Sequence, residues 1–335
     1  MSTYSFFDFC LFLFHSSETL IVFNGIITEQ NIQIESANLS NLSDVKECYV
    51  GLSRSGFNDK IVGASLLQVN QNEDLLQCGG AELWSGNLTS NCTYLNKSTV
   101  VLQEARTFAS SAVSSDNVIF IAGGQGAYGL LLNSTEIITI NDDNDILAVS
   151  GPDMPLNLQH HCLVFLNPDS IMIIGGRDIF ERPQENTYRL ELNKTPMFWS
   201  LAPRLNQKRL GHSCGLLELG SKRFVVVAGG ADEFMDIPRP LSTVEILNLN
   251  DDGLEMEWTT GPPMTRPVYF GSPAMLSLES SLISVHRHFL FQFKCPTKVL
   301  DECSWSEAAQ VWQNPNVLPH IFFLRSNLKE ELICK

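Results

Sequence analysis

Residues 124 to 129, Gly-Gln-Gly-Ala-Tyr-Gly, follow directly on an apolar run and spell a literal G-x-G-x-x-G. That spacing cradles a dinucleotide pyrophosphate when its glycines open a helix. Here the continuation LLLNSTEIITI reads as loop then alternating strand, so the helix N-terminus a phosphate needs is not expected. The seven histidines, His15, His160, His161, His212, His286, His288 and His320, show neither H-x-x-x-H helical spacing nor a C-x-x-C partner. One grouping could gather a metal: His160, His212 and His320, if all three face a common channel. Imidazoles in such a place more often hydrogen-bond than ligate. No G-x-S-x-G elbow occurs, and Ser, His and Asp are too scattered for a triad. The expectation is a chain with no catalytic residue, no cofactor and no metal.

What such a chain offers instead depends on the elements that carry its loops. An apolar run closed by Gly-Gly recurs: LLQCGG (Gly79, Gly80), VIFIAGG (Gly123, Gly124), IMIIGG (Gly175, Gly176) and FVVVAGG (Gly229, Gly230), at intervals of 44, 52 and 54. That period is one of four-stranded blades, longer than helical or leucine-rich repeats. Each run is too short for a helix and rich in Val and Ile, so it reads as a buried strand ending in a tight turn. Downstream of the glycines come the alternating strands SNCTYL, STEIITI, NTYRLEL and STVEILNL, then aromatic segments with Trp199 and Trp258 to pack between blades. An Arg (Arg54, Arg106, Arg209, Arg266) then precedes a small-residue strand leading to the next Gly-Gly run.

This pattern resembles the kelch family over residues 20 to 325. The resemblance implies an all-β fold: a six-bladed kelch-type β-propeller with four-stranded antiparallel blades. The glycine-strand position is filled by TLIVFNG (19 to 25), the four runs above and a degenerate SLISVH (281 to 286), where His286 and Arg287 replace the glycines. The chain starts at a glycine strand, with no strand before it. The ring is therefore expected to close by pairing of N- and C-terminal strands, PHIFFLR (319 to 325) against residues 19 to 25, which removes exposed edges. Galactose oxidase resembles the fold and carries copper, but the six tyrosines here show no such grouping with His and Cys.

Residues 1 to 17 carry an apolar run of signal-peptide length without a basic n-region, and a single propeller is assigned to 18 to 335. Sequons at Asn38, Asn41, Asn87, Asn91, Asn96, Asn133 and Asn193 favour secretion. Without Cys10 the cysteines form an even set of eight. In LQHHCLVF and LGHSCGLL, His160 aligns with His212 and Cys162 with Cys214, a disulfide candidate across adjacent blades. Cys78 with Cys92, Cys48 with either, and Cys295 with Cys303 are further candidates. Eight buried free thiols in a cytosolic protein is the alternative.

A formal charge of -15 repels phosphate backbones, so nucleic acid is excluded as a partner, and no apolar stretch reaches the length of a membrane span. The expected partner is a protein or a glycan. Loops on one face offer Trp84, Tyr128, Arg177, Phe180, Arg182, Phe234 and Arg239 as anchors, with Asn87 and Asn133 in or beside them. An intracellular kelch adaptor that recruits a substrate to a ubiquitin ligase or contacts actin is the rival, with no room here for the usual BTB and BACK domains.

Overall fold

The computed structural model describes residues 61–310 except 70–73, 83–84, 95–98, 141–145, 234–237, 250–254, 270–273, 279 and 287–288. It also describes the backbone of strands at 13–16, 19–22, 31–38, 41–51 and 333–334. The architecture is all-β, built from repeated antiparallel sheets. The first sheet has five strands, in the order β1 (Leu13–Ser16), β2 (Thr19–Val22), β3 (Asn31–Asn38), β4 (Asn41–Gly51) and β27 (Ile333–Cys334). A two-stranded ladder joins β5 (Ile61–Val62) to β8 (Ala81–Glu82).

Five sheets of four strands follow. The second contains β6 (Ser65–Val69), β7 (Asp74–Cys78), β9 (Asn91–Tyr94) and β10 (Thr99–Val101). The third contains β11 (Ser110–Val113), β12 (Ile119–Ala122), β13 (Thr135–Ile140) and β14 (Ile146–Ser150). In the fourth are β15 (Cys162–Asn167), β16 (Ser170–Ile174), β17 (Thr187–Glu191) and β18 (Trp199–Ala202). The fifth is β19 (Ser213–Leu219), β20 (Lys222–Ala228), β21 (Val244–Leu249) and β22 (Glu255–Gly261). The sixth is β23 (Leu276–Leu278), β24 (Ser281–His286), β25 (Phe289–Lys294) and β26 (Ser304–Gln310).

The glycine strands are continuously apolar because each is covered on both faces. Ile119 and Ile121 of β12 join the core shared with the second sheet, while Phe120 and Ala122 join the core shared with the fourth. Strand β20 divides in the same way: Val225 and Val227 face the fourth sheet, and Phe224, Val226 and Ala228 face the sixth. Successive side chains of a strand point to opposite faces, so an alternating code becomes an unbroken apolar run when neither face meets water. The two tryptophans bind each sheet to the one before. Trp199 meets Phe120 edge-on with ring centroids 5.9 Å apart and donates Nε1–H to Pro152 O at 2.9 Å. Trp258 repeats that bond to Pro203 O at 2.8 Å.

Arg106 and Arg209 are fully buried in equivalent places. Each guanidinium donates to the carbonyl of the first glycine of its own sheet, Gly123 or Gly229, and to a carboxylate, Glu136 at 3.0 Å or Glu245 at 2.7 Å. The carboxylates also accept backbone N–H bonds, Glu136 from Gln103 and Glu104, Glu245 from Asn206 and Gln207. Burial lowers the Arg209 pKa and Glu245 opposes that shift. Arg266 does not share this role. The position equivalent to Arg209 in the sixth sheet is Val268, whose carbonyl accepts from Gly230 as that of Arg209 accepts from Gly176. Arg266 lies near the surface, pairs with Glu307 at 2.9 Å and stacks over Phe289. Arg54 lies outside the described residues.

Two further expectations change, and a third falls outside the described residues. Strand β2 is not the first of its sheet, because Leu13–Ser16 pairs with it in antiparallel register. The segment 319 to 325 lies outside the described residues, as do Asn24 and Gly25, and the C-terminal strand that is described is Ile333–Cys334, with Cys334 opposite Cys48. Finally, the blade alignment is off by one. Cys162 opposes Ile174, the residue before Gly175, and Ser213 opposes Ala228, the residue before Gly229. Cys162 is therefore equivalent to Ser213 and His161 to His212. Cys162 and Cys214 are nonetheless bonded, with Cα atoms 6.1 Å apart. The offset is what makes the bond possible: a bridge between stacked sheets needs one residue on a forward face and one on a backward face, hence opposite parity. Cys78–Cys92 and Cys295–Cys303 are also disulfides, so Cys48 pairs with neither Cys78 nor Cys92.

Candidate binding face

At the end of each glycine strand the chain must turn while touching its neighbour. Gly123 and Gly124 show why the pair is glycine: both have positive φ (61° and 88°), and a Cβ on either would lie within 2.5 Å of a neighbouring carbonyl oxygen, Leu158 O or Thr107 O. The second glycine then donates its N–H to the next sheet: Gly80 to Arg106 O, Gly124 to Leu158 O, Gly176 to Arg209 O and Gly230 to Val268 O, at 2.7 to 2.9 Å. The following residue bridges backward and forward. Gln125 pairs with Thr107 and Leu131, Arg177 with Gln159 and Pro183, Ala231 with Leu210 and Pro240. The loop after β7 of the second sheet is closed likewise by Ala81 with Leu88. Four loops thus leave one end of the sheets from equivalent anchors.

Their tips carry the residues singled out from the sequence. Tyr128 is 99% exposed on a single 3-10 turn (Ala127–Gly129) at φ 57°. That short turn is followed by β13, so no helix N-terminus meets the G-x-G-x-x-G glycines. Phe180 is exposed with the Arg182 guanidinium 4.8 Å over its ring. Asp178 orders that loop by accepting from the backbone N–H of Phe180 and Arg182 and from Gln184 Nε2. Arg239 is held by both oxygens of Asp232, at 2.5 and 2.9 Å. Burial works against the Asp232 carboxylate, but bonds from Arg239 and Gln207 hold its pKa below the usual range. Arg177 is mostly covered and pairs with Glu181 at 3.5 Å, so it contributes less to the open face. Trp84 and Phe234 lie outside the described residues. All four aromatics obey a rule not used in reading the sequence: Trp84, Tyr128, Phe180 and Phe234 each stand four residues after the second glycine of their repeat.

Between the loops of the second and third sheets lies a cleft of about 710 Å³. Glu82, Asn87, Glu104, Phe108, Gln125 and Tyr128 are among its lining residues. Glu82 accepts from Ser85 Oγ, and Glu104 from Ser134 Oγ. Of the sequons, Asn87, Asn91 and Asn193 are exposed. Asn133 is half-buried and donates to Met154 O at 3.4 Å, while the Asn38, Asn41 and Asn96 side chains lie outside the described residues.

Nearer the centre, three buried histidine rings lie against the first glycines: His161 at Gly123, His212 at Gly175 and His286 at Gly229. His286 Nε2 is 3.2 Å from Ser213 Oγ. Among the described residues no group of three His, Cys, Asp or Glu could hold a metal ion. His320 lies outside them. Burial, reinforced by His160, pushes the His161 pKa down to about 3; burial alone does the same to His286 and, with Arg209 and His161, holds His212 well below its ordinary value. A lowered folded-state pKa means that the unfolded chain binds more protons, so this stabilisation is present above about pH 6.5 and is lost as pH falls toward 3. Each such histidine should steepen the decline by about 1.4 kcal/mol per pH unit in that window. Denaturant midpoints between pH 7.5 and 5 are expected to fall for the wild type and to fall less for His161→Ala, since the third sheet already carries Ala109 at that position. An unchanged slope would refute the assignment.

Stacked four-stranded sheets around repeated glycine turns define a β-propeller. No protein-family model matches the chain. The structure named "Structure of YjhT" is similar, with a TM-score of 0.64 at 9% identity, covering 90% of this chain and 98% of that one. The tRNA wybutosine-synthesizing protein 4 of Eremothecium gossypii is 26% identical over 126 residues, 37% of this chain. The chain spans only 17% of that protein's length. Among the described residues no helix is long and apolar enough to cross a membrane.

Proposed function

We propose that this is a kelch-type propeller of six blades, secreted or luminal, that acts without catalysis and binds a protein or glycan through its loop face. The observation that carries the binding reading is the set of four loops with equivalent anchors, whose described tips expose Tyr128 and Phe180. Large aromatics are costly to leave in water and are the commonest anchors of interfaces. By contrast the best-buried polar groups, Arg106 with Glu136 and Arg209 with Glu245, are consumed in holding the sheets. Six sheets of four or more strands support the blade count, and β4 beside β26 supports closure of the ring.

Three disulfides support an oxidising compartment. Removal of residues 1–17 as a signal would leave β2 as the edge of the first sheet. Intact mass of the protein from animal cells, taken from medium and lysate with and without glycosidase and after alkylation, tests the compartment. The expected result is N-glycosylated protein in the medium, starting near residue 18, with Cys162 and Cys214 protected. Unglycosylated protein in the lysate with every thiol alkylated would sink it.

A further inference from the structure

Tyr128 combines two costs that folding alone does not explain. A bulky side chain at φ 57° is in the left-handed region that such residues rarely adopt, and its ring is 99% exposed. It stands at the mouth of the cleft between the second and third sheets. Among the described residues the charge in that cleft is of one sign: Glu82 and Glu104 line it, and none of the described lining residues is Lys, Arg or His. Buried Arg106 lies 3.8 Å from Glu104 but is bound more closely by Glu136, so the three together carry a net charge of −1, and Glu82 adds another. The amide of Gln125 is turned onto Gly129 O at 3.0 Å, and Asn87 lies at the rim.

From this charge and the exposed ring we infer that the cleft takes a Lys or Arg side chain from a basic segment of a protein partner, packed against Tyr128 with its cationic head toward Glu82 and Glu104. The inference rests on the loop-face reading and narrows it to a cationic peptide. An aromatic face with nearby carboxylates is a site for a desolvated cation. The whole chain, at -15, would steer such a segment inward. Asn87 lies within a sequon at the rim, so a glycan there would compete for the same mouth.

The test uses the full chain and a fluorescent decapeptide of alternating Gly and Arg, with an alternating Gly and Glu peptide and a neutral chitin oligosaccharide as comparators. The basic peptide is expected to bind and to weaken as salt rises. Tyr128→Ala should raise its Kd about fivefold or more, and Glu82→Gln about threefold. Glu218→Gln, at the exposed residue of β19 beside its turn into β20, should leave it unchanged. Asn87→Gln should tighten binding if that site is glycosylated. Equal weakening by Glu82→Gln and Glu218→Gln would show diffuse attraction and overturn the inference. If instead the oligosaccharide binds, loses affinity in Tyr128→Ala, and the basic peptide does not bind, the inference falls while the loop-face reading stands. If neither probe responds to Tyr128→Ala, the inference falls with no support for the loop face.

Discussion

Arg209→Leu is expected to destabilise the protein by about 3–5 kcal/mol, because it strands the Glu245 carboxylate in a nearly dry site. The guanidinium satisfies two carbonyls, a hydroxyl and that carboxylate, so one substitution orphans several buried acceptors. The fourth sheet shows what a compatible replacement looks like. There Leu158 stands in place of Arg209, Tyr188 opposes Ile173 as Glu245 opposes Val227, and Pro155 stands where Asn206 donates its N–H to Glu245. Cation, anion and backbone donor are thus absent together, and Leu158 joins the apolar core. Importing that set, as Arg209→Leu with Glu245→Tyr and Asn206→Pro, should recover most of the loss, since replacing a whole buried network with apolar packing is often neutral. Chemical denaturation of the single and triple variants checks it. A triple variant no more stable than Arg209→Leu would show that the site depends on its pair.

Much of this was legible in the sequence. The Gly-Gly runs gave the sheets their order, and Trp199 and Trp258 do pack between neighbours. Glu136 and Glu245 were not legible as buried, because in STEIITI and STVEILNL a charged residue at alternating spacing reads as the wet face of a strand. In a propeller the inner part of the third strand has no wet face. The one-residue error at His160 and Cys162 came from matching identical letters. The hairpin between β19 and β20 is longer than that between β15 and β16, by one residue on its first arm and two on its second, so only register fixes the face. The aromatic at the fourth position after each glycine pair was present in the letters. It is hidden by loops that differ in length and share no other residue at their tips.

The second large effect concerns the bond that register alone explains. Cys162 and Cys214 close a separation of 52 residues, and constraining a loop of that size in the unfolded chain stabilises the fold by about 4 kcal/mol. Both sulfurs lie in the core between the fourth and fifth sheets, with Met172, Val225 and Leu247, so a double Cys→Ala variant adds a cavity cost to the lost constraint. Cys162→Ala/Cys214→Ala is therefore expected to lose at least as much stability as Arg209→Leu. Cys295→Ala/Cys303→Ala should lose less, since that bond closes a separation of only 8 residues beside the 3-10 turn Leu300–Glu302. Reduction separates the two terms. After reduction the wild type loses the constraint but keeps both sulfurs in place, so its midpoint should lie above that of the double variant. If reduction leaves the wild-type midpoint unmoved while the double variant falls, the sheets are held by packing alone and the covalent tie between them contributes nothing.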